Sequence, residues 1–316
     1  FQGERYAARD GESVLDCLLR HGISLSHSCK SGVCQSCIVR AVGGAVPAKA
    51  QSGLRDTLRA QGYVLACSLV PEDDIEVALI DSALLRAPGR IESIEPLNAT
   101  VMRVRVRTDA PIAYRPGQYV NLVRGDGLVR SYSAASVPEE DDTLDFHVAA
   151  VANGKMSGWI HSGDAHGACV ELLGPVGNCF YVPGAPEQPL FLAGTGTGLA
   201  PLYGILRDAL RQGHKGPINL FHGSIRPEGL YLARELRALA SRHENLRYHA
   251  CVLQGEAEGV VTAPLDQFSL QTVPKLAGCK VYLCGHPDFV RLMQRKVFLA
   301  GAPLSGIYAD AFLPSP

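Results

Sequence analysis

The sequence has almost no surplus charge of either sign. Its 30 Lys and Arg stand against 31 Asp and Glu, a formal net charge of −1 over 316 residues. Neutralising a phosphate backbone needs a basic excess, so nucleic acid is excluded as the main partner. No apolar run approaches the roughly 18 residues that read as a membrane span. No secretory signal opens the chain as it stands. An H-E-x-x-H helix and a G-x-S-x-G elbow are both missing, so the sequence encodes neither of the hydrolytic sites those motifs build. Ten cysteines in 316 residues are too few for a disulfide-stapled secreted scaffold. Five of them fall within the first 70 residues: Cys17, inside a helical pattern, and Cys29, Cys34, Cys37 and Cys67. Without a signal, that usage reads as cytoplasmic and metal-binding.

What is present is ordinary for a packed globular protein of two or three domains: 47% apolar and 19% charged residues. The first part spans 1–82. Phe1-Gln2-Gly3 reads as the end of a first strand, with a tag scar as the alternative. Val14, Leu15, Leu18 and Leu19 recur at helical spacing within Glu12–Gly22, and Gly22 is placed to stop that helix. Ile38–Val42 reads as a strand with Gly43-Gly44 as its turn, and Asp74–Ile80 alternates like an edge strand. Together these suggest a small α+β domain, followed by a linker over Asp81–Gly89.

The second part, 88–185, is dense in strand patterns. Val101–Arg107 alternates, with arginines on one face, and Gln118–Val123 and Leu144–Ala149 follow. Many short strands between Gly and Pro turns suggest a closed antiparallel barrel. The third part, 186–316, alternates strand and helix, which implies a doubly wound, mostly parallel sheet. Strands are expected at Pro189–Ala193, Ile218–His222, Tyr248–Leu253, Lys280–Cys284 and Ile307–Phe312. Helices are expected at Pro201–Gln212, Leu232–His243 and Pro287–Ala300. Only this part is net positive, with 13 bases against 10 acids.

The early cysteines are spaced C-x4-C-x2-C at Cys29, Cys34 and Cys37, with Cys67 arriving from a distance. That is the plant-type 2Fe-2S ligand spacing. Gly32 gives the loop backbone freedom, and Ser28, Ser31 and Ser36 allow close approach. A structural zinc site is the rival, which the x4 gap and the lone fourth cysteine fit poorly. The other six cysteines read as core or loop residues, with Cys284 a possible exception. In the third part, Gly194-Thr195-Gly196-Thr197-Gly198 follows an apolar strand and opens a helix, the context of a phosphate-cradling loop. His161 and His166, in a Gly-Asp stretch, read as solvated.

With these motifs the chain resembles the ferredoxin-NADP reductase family in one particular layout. A plant-type ferredoxin domain precedes the reductase module, as in the reductase components of bacterial ring-hydroxylating dioxygenases and multicomponent monooxygenases. The resemblance covers nearly the whole chain. It implies a β-grasp fold for 1–82, an FAD-binding β-barrel for 88–185 and an NAD(P)H-binding α/β domain for 186–316.

The family's flavin motif corresponds to Arg130-Ser131-Tyr132-Ser133. The resemblance implies that Arg130 pairs the flavin pyrophosphate, Tyr132 lies on the isoalloxazine and Ser133 sits near N5. Gly154-Lys155-Met156-Ser157 is similar to the family's second flavin element, and Gly174-Pro175-Val176-Gly177 to its barrel-closing turn. Cys284-Gly285-His286-Pro287 resembles the C-G-x-P element beside the nicotinamide, and Asp310 and Phe312 the acid and aromatic of the C-terminal strand. Many relatives carry Gly after the second cluster cysteine, where this chain has Gln35.

The implied activity is an NAD(P)H-oxidising reductase that passes electrons through FAD and the cluster to a separate oxygenase or ferredoxin. Rival readings are supply to a desaturase or deoxysugar enzyme, and a redox-sensing regulatory module. A monomer is favoured. NADH is expected over NADPH. The ribose-reading region should follow the second strand of the third part, where Glu228 favours NADH while Ser224 and Arg226 would tolerate a 2′-phosphate.

Overall fold

The computed structural model describes residues 1–32, 34–79 and 85–312, with Leu85 by its backbone alone. The chain divides into two compact units, Phe1–Leu84 and Leu85–Pro316.

In the first unit, helix α1 (Val14–Arg20) is started by Ser13, whose Oγ accepts from the Asp16 N–H at 3.1 Å. The capped helix turns Val14, Leu15 and Leu18 inward. Gly22, at φ +79°, ends it as expected. Those side chains pack on a sheet whose centre is β1 (Ile38–Gly43). β1 pairs antiparallel with β2 (Tyr63–Leu65) on one side and β3 (Glu76–Ala78) on the other. A short helix α2 (Asp56–Ala60) precedes β2. This is the β-grasp expected for the domain. Gly44 turns the chain at φ +89°, where a Cβ would stand 2.5 Å from the Asp74 carbonyl. The edge strand is shorter than its alternation suggested, and Ile80 lies outside the described residues. No strand ends at Phe1–Gly3: the chain turns there, and the Gln2 N–H donates to the Val77 carbonyl of β3 (3.4 Å).

The second unit begins with a correction. The expected linker overlaps strand β4 (Leu85–Asn98), which pairs with β9 (Cys169–Val176) from Leu85 onward. Gly89 is not a loop glycine. A Cβ there would lie 2.8 Å from the Arg107 carbonyl of β5 (Val101–Thr108), so close strand approach requires it. Residues 81–84 lie outside the described set. With β6 (Tyr119–Val123), β7 (Val129–Ser133) and β8 (Leu144–Ala149), these strands form a six-stranded antiparallel sheet in the order β7-β6-β9-β4-β5-β8. The sheet curls around Ile91, Val104, Val120, Leu122, Phe146 and Leu172. The barrel expected to be closed is in fact half open. Among the described residues no ladder joins β7 to β8; the Ala135 N–H donates to the Asp145 carbonyl (2.9 Å), and the rings of Tyr132 and Phe146 meet at 6.2 Å. Helix α3 (Lys155–His161) follows β8. His161 is not a solvated loop residue: it ends α3, and its Nε2 lies 3.0 Å from the Val148 carbonyl.

The rest is a six-stranded parallel sheet in the order β13-β12-β11-β10-β14-β15. Its strands are β10 (Leu190–Thr195), β11 (Ile218–Ser224), β12 (Leu246–Val252), β13 (Val260–Thr262), β14 (Lys280–Gly285) and β15 (Ile307–Ala311). Helices α4 (Leu199–Arg211), α5 (Ala233–Arg242), α6 (Leu265–Thr272) and α7 (Pro287–Leu299) complete the doubly wound layers. Strand order reverses between β10 and β14, and open α/β sheets bind ligands at such a point, beyond the strands' carboxyl ends. The sequence pattern did not reveal β13 or α6. α4 starts two residues before the expected Pro201, which sits in the first turn where its missing N–H costs nothing.

Candidate functional site

The cysteine loop wraps its own sulfurs. The Ser31 and Cys34 N–H groups donate to Cys29 Sγ at 3.4 and 3.3 Å, and the Cys29 N–H to Cys34 Sγ at 3.4 Å. Ser36 Oγ donates to Cys34 Sγ at 3.3 Å. Such donors favour thiolate. The Ser31 hydroxyl, then the Cys34 and Ser31 amides, lower the Cys29 thiol to about 5, and Ser36 leads in lowering Cys34. Gly32 takes φ +79°, and Lys30 and Gln35 also adopt left-handed backbone.

Cys37 is buried, which raises its thiol, and its sulfur interacts with Cys67. The four thiols therefore come as two pairs. Among the described residues, no three metal-ligating side chains converge on one point as a single tetrahedral zinc would need. Two sulfur pairs, one with amides aimed at it, fit a two-iron cluster. Gln35 has a local role: its Nε2 donates to the Gly53 carbonyl at 3.1 Å, tying the loop down.

In the second unit, Ser133 ends β7 and Asp310 lies on β15. Ser133 Oγ donates to Asp310 Oδ2 at 2.6 Å, joining barrel to parallel sheet. Burial pushes the Asp310 carboxyl up, against the lowering effect of that hydrogen bond. Burial likewise pushes the Tyr132 phenol up to about 12. Arg130 Nη1 donates to the Val129 carbonyl at 2.7 Å. Gly154 precedes α3, and a Cβ there would collide with Ser157 Oγ, which accepts from the Val151 N–H at 3.2 Å. Lys155 and Met156 form the first turn, with Met156 buried in the barrel core. Arg124, which sequence reasoning missed, donates to the Lys155 carbonyl at 3.2 Å and lies 5.5 Å from the Trp159 ring centroid. That contact brings the β6–β7 turn to the start of α3. Nothing but its charge, near the Arg130 motif, could have singled it out.

The glycine loop runs from β10 into α4 as expected. Gly196 adopts φ +55° with open space where a Cβ would stand, in front of the N-terminal end of α4. Gly194 is packed on Leu202, and a Cβ on Gly198 would strike the Cys284 carbonyl. Gly285, at φ +121°, would place a Cβ 2.6 Å from the Thr195 carbonyl, and Thr195 Oγ1 accepts from the His286 N–H at 3.2 Å. The two loops thus share one backbone surface at the switch point. Cys284 is fully buried, with its Sγ 3.8 Å from Cys179 Sγ, and burial holds its thiol well above the usual range. Cys284 and Asp310 are paired residues of neighbouring strands, and the Phe312 N–H donates to the Gly285 carbonyl at 2.9 Å.

Ser133, Gly198, Cys284, Gly285, Asp310 and Phe312 are therefore brought together. Thr197 lies in the same short 3-10 turn as Gly196 and Gly198. Ser224 and Arg226 stand apart from this centre, at and beyond the end of β11, and Arg226 is exposed. A strand carrying Arg130 and a glycine-led helix start suit a dinucleotide pyrophosphate, and a glycine loop opening a long helix suits a second nucleotide. The residues present fit both FAD and NAD(P)H.

Comparison with known proteins agrees. A 2Fe-2S iron-sulfur cluster binding domain matches residues 2–72, an oxidoreductase FAD-binding domain 88–181 and an oxidoreductase NAD-binding domain 192–295. Fold and site thus define an iron-sulfur flavoprotein oxidoreductase that uses 2Fe-2S, FAD and NAD(P)H. The chain belongs to the family of ferredoxin–NAD(P)+ reductase components of dioxygenase and monooxygenase systems. One relative is the reductase component of a Ralstonia naphthalene 1,2-dioxygenase/salicylate 5-hydroxylase system, 32% identical over 98% of this chain and 95% of its own length. Another is an Amycolatopsis aromatic O-demethylase reductase subunit, 34% identical over 91% of this chain and 90% of its own. Among solved structures, an Amycolatopsis cytochrome P450 reductase superposes with a TM-score of 0.70 at 30% identity, covering 99% of this chain and 97% of that one. No described helix is long and apolar enough to cross a membrane.

Proposed function

We propose that this chain takes electrons from NADH and delivers them singly to a separate oxygenase or ferredoxin in the cytoplasm, working as a monomer with functional parts at 1–82, 88–185 and 186–316. A flavin held there would supply two-electron acceptance and one-electron release, the chemistry that matches a nicotinamide to a one-electron cluster. The chain's own residues do the positioning. Arg130 offers a two-pronged cation to the flavin pyrophosphate, and the turn Gly154–Ser157 presents the start of α3 to it. Tyr132 supplies a flat face for the isoalloxazine ring.

Ser133 stands at the reacting edge with its hydroxyl proton held toward Asp310, so its oxygen is oriented before any nucleotide arrives. The raised Asp310 carboxyl can hold a proton at that point. Gly194–Gly198 cradles the nicotinamide nucleotide's phosphates. Cys284, neutral and buried, would lie by the nicotinamide, and Asp310 and Phe312 would approach the flavin ring. Cys29, Cys34, Cys37 and Cys67 would hold the cluster and supply its one-electron chemistry, and of these Cys29 and Cys34 are exposed.

The Ser133–Asp310 bond, linking the flavin barrel to the nucleotide sheet at the switch point, carries this reading. NADH-driven reduction of cytochrome c over many turnovers supports it. Stoichiometric reduction that then stops contradicts it and marks a sensor.

A further inference from the structure

The segment 224–231 carries Ser224, Arg226 and Glu228, the candidates for meeting the adenine ribose, and its proposed role depends on that reading of the nucleotide site. Its first half is fixed by its own sheet. The Leu253 and Gln254 N–H groups donate to the carbonyls of Ser224 and Ile225 at 3.1 and 2.9 Å. Its second half is fixed by the flavin barrel. Asn98 stands at the turn between β4 and β5, where its Oδ1 accepts from Thr100 N and Oγ1 at 2.9 and 3.2 Å. Its Nδ2 donates to the carbonyls of Glu228 and Gly229, both at 3.2 Å. The Gly229 N–H in turn donates to the Arg226 carbonyl at 3.0 Å, and Ser224 Oγ fills the space a Cβ on Gly229 would need.

A barrel side chain is thus within one residue's reach of each of the three ribose-facing candidates. Two residues on, the buried Tyr231 hydroxyl meets His147 Nδ1 of β8 at 3.1 Å. Burial lowers His147 to about 3, so it stays neutral as a partner for that hydroxyl. Leu232, buried next in the chain, adopts φ +55°. A bulky residue keeps left-handed backbone only where its surroundings over-determine it.

We infer that Asn98, supported by His147 and Tyr231, is a positioning residue for nucleotide choice: the flavin barrel holds the ribose-reading segment in register and so sets discrimination between a 2′-hydroxyl and a 2′-phosphate.

The test uses the holoenzyme with Asn98→Asp. This variant keeps the acceptor that Thr100 needs but replaces the donor facing two carbonyls with a carboxylate oxygen. Tyr231→Phe, which deletes only a hydroxyl, is the second variant. The probes are AMP and adenosine 2′,5′-bisphosphate, titrated calorimetrically, with KM and kcat for NADH and NADPH alongside. The ratio of the two fragment affinities should move at least about fivefold in Asn98→Asp. KM should change while kcat and flavin content hold. A ratio unchanged in both variants, or equal weakening of both fragments, overturns the inference. Arg226→Ala and Glu228→Gln separate the failures. If they shift the ratio while Asn98→Asp and Tyr231→Phe do not, the inference alone falls. If they do not shift it either, the ribose reading falls and takes the inference with it.

Discussion

Ser133 and Asp310, 177 residues apart in sequence, share a 2.6 Å hydrogen bond from hydroxyl to carboxylate where the flavin barrel meets the parallel sheet. The bond brings the end of β7 to β15, joining the antiparallel sheet to the parallel one. Asp310 is also buried enough to resist ionisation. Site chemistry and domain packing are therefore linked through one pair.

That pair gives a pH signature. The folded-state pKa of Asp310 is raised, so its favourable contribution is complete below the unfolded value near 3.9 and is lost as pH rises through the folded value. Asp310→Asn should therefore melt above the wild type at pH 7–8, with the difference vanishing toward about pH 4. Melting curves across that range check it. Ser133→Ala should slow NADH-dependent flavin reduction about 100-fold, the scale of losing one oriented polar group at a reacting centre.

Iron and acid-labile sulfide should each come to about two per chain. Cys67→Ser should bleach the cluster spectrum and cut cytochrome c reduction at least about tenfold while NADH still reduces the flavin. One zinc and no labile sulfide would end this assignment.

The flavin released by heat should be FAD by mass, since residues 88–181 match an oxidoreductase FAD-binding domain. Arg130→Ala should weaken flavin retention by about 1.5–3 kcal/mol, the value of a hydrogen bond to a charged group. Full retention in gel filtration would give Arg130 another role.

For the nicotinamide nucleotide, kcat/KM should favour NADH. A tenfold preference for NADPH, about 1.4 kcal/mol, would reverse that. Were Arg226→Ala then to abolish the preference, Arg226 would be the phosphate reader.

Much of this was legible in the sequence because its signals are local. The cysteine spacing, the strand–glycine–helix context of Gly194–Gly198 and the alternation in Val101–Arg107 depend only on neighbours in the chain. What escaped depends on distant partners. β13 is three residues long and exists through its pairing with β12. α6 buries only Leu265 and Ser269, too little apolar pattern to announce a helix. Gly89 passed for a linker residue because the strand crowding it, β5, is invisible from its own neighbourhood. The contacts of Asn98 with Glu228 and Gly229 likewise leave no trace in either segment's composition.

The central claim is that one chain carries electrons from nicotinamide nucleotide through flavin to its own cluster. Anaerobic mixing with NADH, followed by freezing and electron paramagnetic resonance, tests it most directly. The account predicts a reduced-cluster signal approaching about one spin per chain in the wild type, and none in Cys67→Ser although its flavin is bleached. A wild-type chain whose flavin is fully reduced while its cluster stays oxidised would contradict the account.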